Sequence, residues 1–308
     1  MHHNPLFQNM SFTKAEKNSV ILNCLNKQGI AIIKDWINVK DVNVLKNELV
    51  SIEAKPPEWV KKNKYETGCI IDYAPFQRHI NHDLELLSNV TNVLSSARIK
   101  DLAISYLGKN AIPDRILLHR SESNNKPITD WHIDHFLTSK RALKFFLYLS
   151  DSDKDTGAFS YIPGCRDIQQ LVNKRGKTYD EMRRNMWSID QNLEHWKQEA
   201  ILQEKKGNKK ISYQITNHLQ NIMQHVNSEL NSDDYYTVSA KKGSLIIFDP
   251  VGFHRGGRII KGERYIIRAH YLPFSLKRAF SSRNELSIFV KRNMIKLKAK
   301  LKGKSIYI

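Results

Sequence analysis

The spacing of apolar residues divides the chain into stretches with different periods. LNKQGIAIIKDWI carries a glycine-led apolar run, Ile30 to Ile33, and VNVLKNELVSI places Val42, Leu45, Leu49 and Val50 at helical intervals. Residues 15–53 are therefore predicted as helix, short strand and helix. KPPEWVKKNKYETG, with two prolines and many charges, is read as a break in regular structure. SNVTNVLSSARIKDLAISYLG is predicted helical in part, with Gly108 and Pro113 marking its end. Short strand-like runs follow in DRILLHRSE, WHIDHF and RALKFFLYLSD, separated by polar turns.

After TGAFSYIPGC the texture turns polar. Over about 166–236, apolar residues such as Ile215, Leu219, Ile222, Met223 and Val226 recur at helical spacing, which predicts a helical insertion between strands. Strand patterns resume in KKGSLIIFDPVGFHRGG and RYIIRAHYLPF. The expected architecture is α+β. Its core is a double-stranded β-helix (a jelly roll, cupin-like) with N-terminal helices, the insertion and a C-terminal basic helix. Residues 1–272 form one expected domain and 273–308 a tail.

Composition adjusts this picture in two ways. Cys24, Cys69 and Cys165 are odd in number and lack CxxC spacing, so they suggest neither a disulfide framework nor a thiolate zinc site. A reducing, cytoplasmic setting is expected, since no apolar run reaches the ~20 residues of a membrane span and the N-terminus lacks a secretory core. The net charge of +18 is unevenly placed: beyond Pro273 there are ten Lys or Arg against the single acid Glu285. Leu286, Phe289, Val290, Met294, Leu297 and Leu301 form a stripe along the same tail. A helix packed on the core explains the stripe; contact with an anionic membrane or polyanion is the sharper alternative.

Candidate chemistry begins with WHIDHF. In an extended segment, residues two apart share a face, so His132 and Asp134 project together while Ile133 and His135 project oppositely. A third ligand has to come from a distant strand, and His254 in LIIFDPVGFHRGG is the candidate. Two imidazoles and a carboxylate on one side of an ion, with the other positions open, form the facial triad of non-haem Fe(II) oxygenases. Taken singly, each residue also reads as an edge-strand histidine, a turn acid or a loop histidine. Arg264, ten residues after His254, offers a planar fork suited to a carboxylate. Arg268, four residues on, shares its face and reads equally as a site residue or as an arginine paired elsewhere.

Together these features resemble the phytanoyl-CoA dioxygenase-like family of Fe(II)/2-oxoglutarate oxygenases over roughly residues 20–272. LNKQGIAIIKDWINVKDVNVLKNEL resembles the family's opening helix, strand and helix. WHIDHF resembles its H-x-D segment, and FFLYLSDSDKDTGAFSYIPGC its strand, acidic turn and P-G block. KKGSLIIFDPVGFHRGG with Arg264 and Tyr271 resembles its distal histidine, anchoring arginine and terminal tyrosine. There are departures: Cys165 and Arg166 stand where the family often has Ser and His, an Asn after the distal histidine is missing, and the insertion is long.

The resemblance implies Fe(II) on His132, Asp134 and His254, 2-oxoglutarate held by Arg264 with Arg268 nearby, and O2 at the remaining position. The product side is then succinate, CO2 and an oxidised C–H bond. Asp134 argues for hydroxylation over halogenation, because related halogenases carry a small residue there; desaturation and epimerisation stay open. Trp131, Phe146 and Phe253 are read either as pocket walls or as ordinary core.

The substrate is expected to be a small molecule, and the basic excess suits an anion such as a CoA thioester or a phosphate-bearing metabolite. Arg120, Arg141, Lys144 and Arg268 are the candidate contacts. Two rivals stand beside this reading. One is a non-catalytic jelly roll binding a metal or polyanion. The other is a nucleic-acid demethylase, which the spacing of Arg264 and Arg268 argues against.

Overall fold

A strand-helix-strand unit leads into the main sheet. The computed structural model describes residues 5–54, 61–65, 68–73, 89, 93–94, 96–127, 131–134, 141–164, 189–229 and 237–273. The basic tail, Cys165, Arg166, His135 and the flanks of the helical insertion lie outside them. After a 3-10 turn, strand β1 (Ser11–Thr13) pairs in parallel with β2 (Ile30–Lys34). Between them runs α1 (Asn18–Gln28), which buries Ile21, Cys24 and Leu25 at the i, i+3, i+4 spacing of one helix face. It ends at Gly29, whose φ of 78° is left-handed and whose N–H reaches the Leu25 carbonyl. An added Cβ at Gly29 would also collide with the Tyr161 hydroxyl.

Helix α2 (Val39–Ala54) is capped reciprocally: Asn38 Oδ1 accepts from the Asp41 N–H while the Asn38 amide donates to the Asp41 carboxylate. Strands β3 (Lys61–Tyr65) and β4 (Gly68–Tyr73) form an antiparallel pair in the stretch read from sequence as a break. KKNKY, which has no apolar alternation, is the outer strand of the sheet. Helix α3 (Ala97–Leu107) ends at Gly108, as expected. Pro113 instead lies within β5 (Ala111–Pro127), opposite Tyr271 beside a register shift, a position that does not need its missing N–H.

The remaining elements are β6 (Leu143–Tyr148), β7 (Phe159–Tyr161), helices α4 (Ile189–Lys205) and α5 (Lys209–Glu229), then β8 (Thr237–Val238), β9 (Leu245–Phe248), β10 (His254–Gly256) and β11 (Arg258–Pro273). The larger sheet has the order β1-β2-β9-β6-β11-β5-β4-β3 and is antiparallel apart from β1 with β2; the smaller has the order β10-β7-β8. The fold is thus mixed α/β, built on a large antiparallel sheet.

One apolar core joins α1, α2 and α3 to the larger sheet. A second is smaller: Trp196 and Ala200 of α4 and Ile215 and Leu219 of α5 enclose Ile133, Ile162 and Phe253. Among the described residues, no helix is long and apolar enough to cross a membrane.

Candidate metal centre

Asp249 shapes the turn that delivers His254. Its carboxylate accepts from the Val251 N–H at 3.0 Å and the Tyr106 hydroxyl at 2.8 Å, and its carbonyl accepts from the Tyr161 hydroxyl at 3.0 Å. Its own N–H donates to the Gly29 carbonyl at 2.8 Å, which ties the turn to the end of α1. Gly252 is required because a Cβ there would strike the Tyr161 hydroxyl. The chain leaves this turn at His254, the first residue of β10.

The described part of WHIDHF, residues 131–134, forms no strand, contrary to the expectation. Residues 131–134 make an isolated antiparallel bridge in which His132 and His254 exchange backbone hydrogen bonds of 3.0 and 2.9 Å. A further bond, from the Asp134 N–H to the Pro250 carbonyl at 2.8 Å, fixes the segment. The alternation expected of a strand is kept. Ile133 is fully buried in the second core, and His132 and Asp134 turn the other way, toward His254.

The three side chains converge. One ligand atom from each of His132, Asp134 and His254 lies within 4.8 Å of the others. His132 Nε2 is 3.9 Å from Asp134 Oδ1, His254 Nε2 is 3.6 Å from Asp134 Oδ2, and the imidazole centroids are 4.3 Å apart. Donors at such spacing reach one ion roughly 2 Å from each after small side-chain rotations. His254 Nδ1 lies 2.9 Å from the Gly252 carbonyl, which can only accept, so Nδ1 carries the proton and Nε2 presents its lone pair. The set of two nitrogens and one carboxylate suits ferrous iron. Burial pushes the Asp134 carboxyl up, but the Lys144 ammonium, His254 and His132 outweigh it and hold the group well below the ordinary carboxylate range.

Around the triad, the register of β5, β11, β6 and β9 places Ser121, His119, Arg264, Arg268, Tyr148, Phe146, Lys144 and Phe248 on one face. Phe146, Phe159 and Phe248 stack edge to face or tilted, and the last two lie 5.8 and 5.2 Å from the His254 ring. Of the three aromatics singled out from sequence, Phe146 faces the site. Phe253 packs against Trp196 and Trp131 lies under the Arg255 guanidinium, so both face away from it.

Arg264 is 3% exposed. It donates to the Gly157 carbonyl and, at 3.4 Å, to Ser121 Oγ; Nε has no partner, and no carboxylate meets it among the described residues. Burial lowers its pKa. Arg268 lies over Phe146 at 5.7 Å. Arg120 faces away from the site. Arg120 is engaged by Glu53, Glu122 and Glu263 on the opposite face, and Arg141 stacks on Tyr106 and donates to Asn26.

Sequence reasoning named Lys144 only as a loose substrate contact, yet its ammonium donates to Asp134 Oδ2. A lysine inside the apolar run LKFFLY was the available signal. His119, 4% exposed and 3.0 Å from Ser121 Oγ, was missed. Burial, Arg268 and Arg264 hold it well below the ordinary histidine range, so it stays neutral.

Comparison with known proteins agrees with this geometry. The sequence matches the phytanoyl-CoA dioxygenase family model over residues 25–261. No curated protein matches the chain by sequence. Among solved structures, the epimerase SnoN in complex with Fe3+, alpha-ketoglutarate and nogalamycin RO superposes with a TM-score of 0.52 at 14% identity, covering 83% of each chain. A second structure of SnoN, a non-heme alpha-ketoglutarate-dependent epimerase from nogalamycin biosynthesis, gives a TM-score of 0.49 at 14% identity, covering 83% of this chain and 82% of that one. AviO1 from Streptomyces viridochromogenes Tue57 gives 0.47 at 11% identity, covering 83% of this chain and 95% of its own. At 14% identity the likeness to the SnoN complex is one of fold.

Proposed function

The chain belongs to the phytanoyl-CoA dioxygenase family, and from that premise we propose that it is an Fe(II)- and 2-oxoglutarate-dependent oxygenase that hydroxylates an unactivated C–H bond of a small anionic metabolite. We read its two sheets as a double-stranded β-helix, a jelly roll with the site between its faces. The observation that carries the functional reading is the meeting of His132, Asp134 and His254 from remote parts of the chain.

Iron with 2-oxoglutarate and O2 supplies the oxidising power, coupling loss of CO2 and formation of succinate to oxidation of the substrate. The protein's part is positional. His132, Asp134 and His254 would hold the ion and leave its other positions to ligands. The Nδ1–H bond to the Gly252 carbonyl keeps His254 in the tautomer that can donate a lone pair. Arg264, buried without a carboxylate among the described residues, takes the far carboxylate of 2-oxoglutarate, whose charge offsets the cost of a desolvated guanidinium. Phe146, Phe159 and Phe248 keep water from the reacting side. Retention of Asp134 favours hydroxyl transfer, and product mass separates it from epimerisation, the activity for which SnoN is named.

The test is succinate release across a panel of anionic metabolites, with wild type and Asp134→Ala compared. Wild type should turn over in an iron-dependent way and add the mass of one oxygen to one panel member, while Asp134→Ala loses activity by about three orders of magnitude. Equal rates would remove Asp134 from the site. The competing reading, a non-catalytic binding module, requires that anaerobic Fe(II) and 2-oxoglutarate produce no metal-to-ligand charge-transfer band.

A further inference from the structure

Lys144 stands in a strand that is otherwise apolar and buried at every position, and is itself 7% exposed. Lysine is almost never buried this deeply without a specific partner. One such partner is the carboxylate of Asp134, and the ammonium meets Oδ2, the oxygen that faces His254 Nε2 at 3.6 Å. A divalent ion held by the two imidazoles needs that same carboxylate. An ammonium and a divalent cation repel strongly at contact distances in a site of low dielectric, so both cannot keep full claim on it. The backbone of Lys144 is fixed between His270 of β11 and Phe248 of β9. Its four-carbon stem is free to swing a compact charge without moving the strand.

We propose that Lys144 exchanges partners: its ammonium neutralises Asp134 in the metal-free protein and, when a divalent ion takes that carboxylate, turns to a carboxylate of the incoming 2-oxo acid. Lys144 thereby couples filling of the metal position to capture of the anion. Arg264 and Lys144 lie on one face of the sheet, on neighbouring strands. They give a dicarboxylate one cation for its far end and one for its metal-facing end. The inference rests on the oxygenase reading above. A purely structural ion pair would behave differently, because its loss would lower stability and leave both affinities alone or weaken them together.

The experiment is calorimetric titration of wild type, Lys144→Met and Lys144→Arg with Mn(II), followed by 2-oxoglutarate into the Mn(II)-loaded proteins. Lys144→Met should bind Mn(II) at least about tenfold more tightly, because the competing charge is gone, and 2-oxoglutarate at least about tenfold more weakly. Lys144→Arg, which keeps the charge, should stay near wild type in both. Should Lys144→Met fail to fold, Lys144→Gln carries the same expectation. Unchanged or weaker Mn(II) binding, or unchanged 2-oxoglutarate binding, in the neutral variant overturns the exchange. If wild type takes up both ligands, that failure leaves the oxygenase reading standing; if wild type takes up neither, both readings fall.

Discussion

Arg120 and Arg264 lie on adjoining antiparallel strands and face opposite sides of the same sheet, since Arg264 is in register with Ser121 and Arg120 with Tyr265. On the outer side, Arg120 meets Glu53 through two 2.8 Å bonds, Glu263 through another, and Glu122. Hydrogen bonding to Glu53 is the main reason its pKa is raised. On the inner side, Arg264 is more deeply buried, meets a carbonyl and a hydroxyl, and has its pKa lowered by burial. The same residue type therefore meets three carboxylates on one face and, among the described residues, none on the other. What separates the two arginines is the local supply of carboxylates, which no single position in the sequence reveals.

Replacing Arg264 tests that contrast with the largest expected effect. In Arg264→Leu, the dissociation constant of 2-oxoglutarate for the Mn(II)-loaded protein should rise by a factor of about 10² to 10³, equivalent to roughly 3–4 kcal/mol for losing one partner of a buried charge pair. Thermal stability should hold or rise, because a desolvated cation without its anion has been removed. Unaltered 2-oxoglutarate affinity would break the comparison at its centre. Arg120→Leu should do the reverse on a smaller scale. It should cost about 1–2 kcal/mol in urea unfolding, since the bidentate contact with Glu53 is partly buried, and leave 2-oxoglutarate binding within about twofold of wild type.

The same two arginines show what sequence reading places and where it stops. Spacing and alternation marked Arg264 and the triad, because those residues repeat a pattern that a sheet converts directly into shared facing. Arg120, one position along β5 from His119, was grouped with the substrate contacts. Its true partners come from α2, from β5 itself and from β11, and separations of 67 and 143 residues leave no local trace. Lys61–Tyr65 was read as a break because KKNKY carries no apolar alternation and follows two prolines, although its backbone pairs with β4. WHIDHF was read as a strand because its alternation is present, although among its described residues, 131–134, only the bridge between His132 and His254 forms. The partnership of Trp196 with Phe253 and Ile133 was likewise hidden, since helical periodicity says that a face is buried without saying against what.

The smallest expected effect concerns His119 and sharpens the contrast by asking how far the charge of Arg264 reaches. His119 is buried, and after burial itself the guanidiniums of Arg268 and Arg264 are what keep its pKa well below the ordinary value. Because the folded-state pKa is lowered, the unfolded chain binds the proton first on acidification. The stability that neutral His119 permits is therefore complete above about pH 6.5 and is lost below it, by up to about 1.4 kcal/mol per pH unit. Urea unfolding of wild type against His119→Asn between pH 7.5 and 5 should isolate that slope. Removing the guanidinium in Arg264→Leu should move the folded-state titration of His119, followed by NMR of its imidazole, upward toward the unfolded value and narrow the acid-sensitive window. Arg120→Leu should leave the titration where it is, because its charge is already spent on three carboxylates across the sheet. Identical titrations in all three proteins would mean that the field of Arg264 ends before His119, and that burial alone keeps this imidazole neutral.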